Sequence, residues 1–145
     1  RSMAYLKRFP PDLVARDHPL PMDIHWRDLV RVASLHDSPS SQVFTAHRRG
    51  AGDVLAVKRT KITEARAIER FRAEVKLLHR CTAGGGEGAA CVVKVIAAIE
   101  EAPNYALVMP HYPEGSLYAL LHAPGGPELT AHARLSLCAD VSVAL

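Results

Sequence analysis

The chain has few cysteines, and their spacing argues against two common uses of that residue. Cys81, Cys91 and Cys138 are the three cysteines among 145 residues. An odd count with no close pair is not typical of a disulfide framework and favours a reducing compartment. His79, Cys81 and Cys91 could be considered as metal ligands, but no Cys-x-x-Cys pair supports them. We therefore predict no metal site.

Long apolar runs and concentrated positive charge are also missing. No run approaches the roughly 20 apolar residues that span a bilayer, and no secretory signal is visible at the start. The net charge is +3, and the basic residues are scattered, with the densest groups at residues 48–49 and 58–61. Solvated strand ends explain these groups better than a nucleic-acid site does. We expect an intracellular, cytoplasmic protein with no membrane segment and no nucleic-acid partner.

What is present is enough for one modest domain with a core, since 48% of the residues are hydrophobic. Residues 1–25 carry four prolines and predict an irregular leader. Apolar periodicity and turn residues then predict strands over residues 28–35, 42–48, 53–60, 92–101 and 105–111. A helix is predicted from a cap at Thr63 to about Arg80, followed by a flexible glycine-rich loop over residues 83–88. A short helix at 116–122 and a last helix from Thr130 complete the pattern.

A lysine and a glutamate fall on inward faces of neighbouring elements. Ala56 and Lys58 lie two residues apart and therefore share one face of the predicted third strand. In the following helix, steps of three and four residues connect Phe71, Glu74 and Val75, so Glu74 lies on or beside the apolar stripe. A lysine on an apolar face needs an anion or water. The pattern predicts a Lys58–Glu74 ion pair that holds an ammonium group ready for phosphate. The alternative is a lysine that ends an edge strand and a glutamate on a helix flank.

Several segments, in this order, resemble eukaryotic protein kinases over about residues 26–145. Val43-Phe44-x-Ala46 is similar to the family's second-strand signature, and Ala56-Val57-Lys58 to its third-strand lysine motif. Glu74 falls at the position of the helix-C glutamate. The segment LVMPHYPEGSL, residues 107–117, resembles the hinge, and residues 135–145 resemble the helix that leads to the catalytic loop.

The resemblance implies an α+β fold. Residues 26–111 would form a kinase-like N-lobe, with a five-stranded antiparallel sheet and one packed helix. Residues 112–145 would form the hinge and two helices of an incomplete C-lobe.

The resemblance also implies an ATP site. Lys58 would contact the α and β phosphates, and Glu74 would position it. Val43 and Ala56 would line the adenine pocket, and Met109 would stand at its back. Ordinary core packing is an alternative role for these three apolar residues.

The hinge of this family binds adenine through backbone groups. By position, the carbonyl of Pro110 would accept a hydrogen bond from the exocyclic amine, and the amide of Tyr112 would donate one to the ring. Proline replaces the usual acid at position 110 but removes only an N–H that does not contact the nucleotide.

The phosphate loop departs from the family pattern, because His36, Ser38 and Ser41 stand where three glycines are expected. Glycine lets the backbone approach phosphate closely, and Pro39 deletes one more donor. The hydroxyls of Ser38 and Ser41 could offer replacement hydrogen bonds to phosphate.

The family's catalytic aspartate, its metal-binding asparagine and the Asp-Phe-Gly aspartate would follow Leu145, so this chain holds no ligands for the Mg²⁺ that accompanies ATP. We expect the ATP-binding part of a kinase, of the serine/threonine class by default, that is inactive alone and acts on protein substrates when complete. The alternative is a pseudokinase-like module that binds a regulatory protein partner and little or no nucleotide. A soluble α+β domain with an accidental likeness is the third reading.

Overall fold

Five strands form one antiparallel sheet in the computed structural model, which describes residues 23–83, 87–122, 124–125 and 129–144. The strands are β1 (Leu29–Asp37), β2 (Ser41–Arg48), β3 (Val54–Thr60), β4 (Ala97–Glu101) and β5 (Asn104–Pro110). Their spatial order is β1-β2-β3-β5-β4, and each neighbouring pair is antiparallel. The predicted α+β class with a five-stranded antiparallel sheet is confirmed.

Helices lie before, between and after the strands. A short 3-10 helix, Trp26–Asp28, precedes β1, and the long helix α1 (Ala65–Ala83) connects β3 to β4. It is followed by α2 (Glu87–Ala90), α3 (Leu117–His122) and α4 (Ala131–Ala144). The Ser116 hydroxyl caps α3 by accepting a hydrogen bond from the Ala119 amide at 3.1 Å, and Thr130 caps α4 through the Ala133 amide at 3.2 Å. Helix α1 begins two residues after the predicted cap, Thr63.

Two predicted boundaries around β4 are wrong. The strand begins at Ala97, not at residue 92. Ala97 is paired with Val108, so the residues before Val95 lie beyond the end of β5 at Pro110 and have no strand to pair with. Residues 87–90, partly predicted as loop, form α2 because the short alanine-rich segment favours a helical turn. The glycines at 84–86 and the leader up to residue 22 lie outside the described residues.

One face of the sheet packs against α1. Alternation along β5 places Tyr105 and Leu107 on this face, and Ala98 of β4 joins them. The helix contributes residues spaced by three and four positions, of which Phe71 and Val75 are almost fully buried. The Phe71 ring meets Tyr105 edge-on, with 5.7 Å between ring centroids. This core fixes the height of α1 above β5.

The opposite face carries a second core that the start of the described chain helps to cover. Phe44, Val57 and Val108 point to this face and are at most 3% exposed. Ile24 is buried in the same cluster, and Trp26 packs edge-on against Phe44 at 6.0 Å between ring centroids. The buried residues of β3, Leu55 and Val57, both face this second core, so Ala56 and Lys58, which alternate with them, lie on the side of α1.

We expect Phe71→Ala to lower the free energy of unfolding by about 3–5 kcal/mol, because it opens a cavity between α1 and β5. Leu77→Ala is the matched control on the same helix, since Leu77 is 60% exposed; it should change stability by about 0.5 kcal/mol or less. Urea unfolding followed by circular dichroism measures both. Equal losses for the two variants would contradict the packing described here.

Candidate functional site

Lys58 and Glu74 form an ion pair between the sheet and α1. The Lys58 Nζ lies 2.5 Å from the Glu74 Oε1, and both side chains keep about a third of their surface exposed, 32% and 35%. Lys58 lies in the middle of three strands, opposite Val43 of β2 and Leu107 of β5. An ammonium group held by one carboxylate, and still open to solvent, can bind a second anion.

The local sequence explains why the carboxylate reaches this lysine. Phe71 and Val75 anchor one stripe of α1 on β5, and Glu74 precedes Val75 on the flank of that stripe. Because β3 is the next strand to β5 in the sheet, this flank overhangs Lys58. The strand alternation and the helix spacing, both visible in the sequence, together place the pair.

An open cleft of about 580 Å³ lies between β1 and the segment that follows β5, and its wall includes Ala56, two residues before Lys58 on β3. Apolar side chains form most of its wall, which suits a flat, weakly polar ligand. Ala56 is paired with Met109, and Leu55 with Pro110, so β3 and β5 form the floor of the cleft together. Its lining residues are Leu35, His36, Ala56, Val93, Met109, Pro110, His111, Tyr112, Pro113, Gly115 and Ser116.

The structure brings four predicted binding residues into that cleft, and the others do not line it. Ala56, Met109, Pro110 and Tyr112 belong to the lining. Lys58 follows two residues after Ala56 on the same face, about 7 Å further along the strand. Val43, half-buried, lies beside Lys58 rather than in the cleft wall.

Ser38 lies in the turn between β1 and β2, Ser41 is the first residue of β2, and the two hydrogen-bond to each other. The Ser38 amide donates to the Ser41 carbonyl at 2.9 Å, and the Ser41 amide donates to the Ser38 hydroxyl at 3.1 Å. Their two hydroxyl oxygens are 3.2 Å apart. None of the described non-glycine residues has a positive φ, so this turn does not need glycine. A phosphate would have to compete with these internal bonds.

Lys61 fixes the same turn, and this role was missed in the sequence. Its ammonium group donates to the Asp37 carboxylate and to the Ser38 carbonyl, the latter at 2.7 Å. Gln42 also donates to Asp37, at 3.2 Å. The hydrogen bond from Lys61 lowers the pKa of Asp37 below its ordinary value of 3.8, and the attraction of the same positive charge adds to it. Lys61 belongs to the basic group predicted to be solvated, and only the fold reveals its partner.

A second ion pair on α1 was also missed. Arg72 donates from Nε and Nη2 to the Glu100 Oε2 at 3.2 and 3.0 Å, and the Glu100 side chain is 1% exposed. The sequence did contain a signal, because an acid in the run Ala97-Ala98-Ile99-Glu100 must find a cation if that strand is buried. The partner could not be chosen among the arginines of α1 without the structure.

Within the ranges that the structure describes, no three His, Cys, Asp or Glu side chains come together as metal ligands. Cys81 and Cys91 are free and exposed. We assign no residue of this chain to Mg²⁺. None of the described helices combines the length and the apolar character needed to cross a membrane.

The comparisons with known proteins point in the same direction as the geometry. No family model matches the chain. It is 28% identical over 122 residues to the serine/threonine-protein kinase CTR1 of Arabidopsis thaliana. The match covers 83% of this chain but 14% of the length of that kinase. The chain is therefore similar to part of a plant serine/threonine kinase, and its sheet and helix are consistent with a kinase N-lobe.

We expect the Lys61–Asp37 contact to resist acid. Because the folded pKa of Asp37 is lowered, the stabilisation is fully present above the ordinary value of 3.8 and is lost as pH falls through the lowered pKa. A carboxyl ¹³C NMR titration should place the Asp37 midpoint below 3.8 in the native chain, and Lys61→Met should move it upward. A midpoint that does not respond to Lys61→Met would contradict the contact.

Proposed function

We propose that this chain is the ATP-binding part of a protein kinase, which transfers the γ-phosphoryl group to serine or threonine hydroxyls of proteins when complete. The observation that carries the proposal is the Lys58–Glu74 contact beside an apolar cleft. The Lys58 ammonium group, oriented by Glu74, suits the phosphates of a nucleotide, and the apolar cleft suits its flat base. The likeness to a plant serine/threonine kinase supports the same function.

The adenine ring would enter the cleft between Ala56 and Met109 on one side and Leu35 on the other. Ala56 leaves room for a flat ring because its side chain is a single methyl group. The carbonyl of Pro110 would accept a hydrogen bond from the ring amine, and the amide of Tyr112 would donate to a ring nitrogen. Both residues line the cleft, and the missing N–H of Pro110 costs this arrangement nothing.

The phosphates would extend from the cleft toward Lys58, with Val43 beside them on β2. ATP supplies the phosphoryl group, and Lys58 would offset the negative charge of its α and β phosphates. Glu74 keeps the Lys58 ammonium group oriented, so nucleotide binding would cost little free energy for reorienting that group. We assign no residue of this chain to proton removal from the acceptor hydroxyl, and we expect no turnover from the chain alone.

A second candidate is a pseudokinase-like module that binds a regulatory protein and little or no nucleotide. The turn between β1 and β2 favours it, because the Ser38 and Ser41 hydroxyls and the Lys61 ammonium are already bonded within that turn. Such a turn offers fewer free donors to phosphate than a glycine loop does.

A thermal-shift titration with Mg-ATP separates the two candidates. At ten times its Kd, a nucleotide that binds the folded chain should stabilise it by about 1.4 kcal/mol, which raises Tm by about 3–6 °C. Lys58→Met should remove most of this shift, because the phosphates lose their cation. Lys76→Met, at an exposed lysine of α1, is the matched control and should keep it.

If millimolar Mg-ATP leaves Tm unchanged, the nucleotide proposal is wrong and the module is favoured. If Lys58→Met keeps the full shift, ATP binds without this lysine, and the assignment of Lys58 is wrong.

A further inference from the structure

We propose that Arg72 is a positioning residue for the Lys58–Glu74 pair, acting through its bond to Glu100. The two ion pairs attach α1 to two different strands and so fix its rotation over the sheet. The inference rests on the proposed function only in that Lys58 is taken as the phosphate-binding group.

The Arg72–Glu100 contact is built as a buried anchor. Glu100 lies on β4 two residues after Ala98, which is buried against α1, so its carboxylate points into the same layer. The Arg72 Nε and Nη2 each donate to the Glu100 Oε2, and the Arg72 side chain is 17% exposed. A carboxylate this deeply buried is costly without its cation, so Glu100 holds Arg72 close to β4.

The two ion pairs lie on opposite sides of β5. In the sheet order β3-β5-β4, Glu74 reaches β3 and Arg72 reaches β4, while Tyr105 and Leu107 of β5 lie under the helix between them. Arg72 and Glu74 are two residues apart, about 200° around the helix axis, and therefore leave it on opposite flanks. A rotation of α1 about its axis that breaks one ion pair therefore also displaces the helix residue of the other pair.

Apolar packing alone does not set this rotation. Contacts such as those of Phe71 and Val75 are non-directional, and they tolerate small turns of the helix about its axis. The Lys58–Glu74 pair is one-third exposed, and pairs of that kind hold a geometry weakly. The buried Arg72–Glu100 pair is the stronger directional constraint, and the position of Glu74 depends on it.

Amine labelling of the full chain tests the role of Arg72 in the absence of nucleotide. The labelling is measured by mass spectrometry below the unfolding temperature. Arg72→Met and Glu100→Gln should speed the acylation of Lys58 about two- to fivefold, the range that corresponds to losing a partly exposed ion pair. Glu74→Gln gives the rate for a lysine without its partner. Lys61 in the same samples reports global unfolding, because its ammonium group is bonded to Asp37 and Ser38 rather than to a residue of α1.

Arg70→Met is the matched control. Arg70 lies on the same helix and pairs with Glu64 at 3.0 Å, but both side chains are more than half exposed. Its removal should leave the labelling of Lys58 unchanged. If Arg72→Met does not fold, Glu100→Gln decides, since it keeps the shape and an oxygen acceptor. A folded Arg72→Met or Glu100→Gln variant in which Lys58 labels at the native rate would overturn the proposal.

A double-mutant cycle adds a readout that a purely structural role would not move. Arg72→Met should weaken Mg-ATP binding about two- to fivefold in the native background and leave it unchanged in Lys58→Met. Equal losses in both backgrounds would show that Arg72 does not act through Lys58 and would overturn the proposal. Absence of ATP binding to the native chain would instead refute the proposed function, and the labelling result would still decide the role of Arg72.

Discussion

The ion pair between Lys58 and Glu74 connects the two layers of the fold at the site. It requires that β3 turn Lys58 toward α1, that β5 lie between β3 and β4, and that the helix rest on β5 with Glu74 over β3. Alternation along β3 meets the first condition, and the strand order meets the second. The Phe71–Tyr105 contact seats the helix on β5, and the Arg72–Glu100 pair would set the rotation that brings Glu74 over β3. The cleft lined by Ala56 and Met109 lies beside the pair because the same two strands form its floor.

The parts of this arrangement that obey a simple period were predictable from sequence. A period of two placed Ala56 and Lys58 on one face, and steps of three and four residues placed Glu74 beside the buried stripe of α1. The site residues of the hinge came from the resemblance, and the cleft contains Met109, Pro110 and Tyr112. Their contacts with a nucleotide stay predictions.

Long-range partners were not predictable, because no local pattern specifies them. The start of β4 depends on where β5 ends, which is a property of the register between them. Lys61 and Asp37 are 24 residues apart, and Arg72 and Glu100 are 28 residues apart. An acidic residue in a buried strand, such as Glu100, indicates that a cation must pair with it, but several arginines of α1 could have supplied that cation. The turn between β1 and β2 shows the same limit, since its serines bond to each other and to the backbone.

The most direct measurement of the account is an NMR study of the chain with a non-hydrolysable ATP analogue. We expect nuclear Overhauser contacts from the adenine ring protons to the methyl groups of Ala56 and Met109. We also expect a shift of the Lys58 ammonium ¹⁵N signal as the phosphates bind. Contacts from the adenine ring to residues outside the cleft, or a Lys58 signal that stays fixed at saturation, would contradict it.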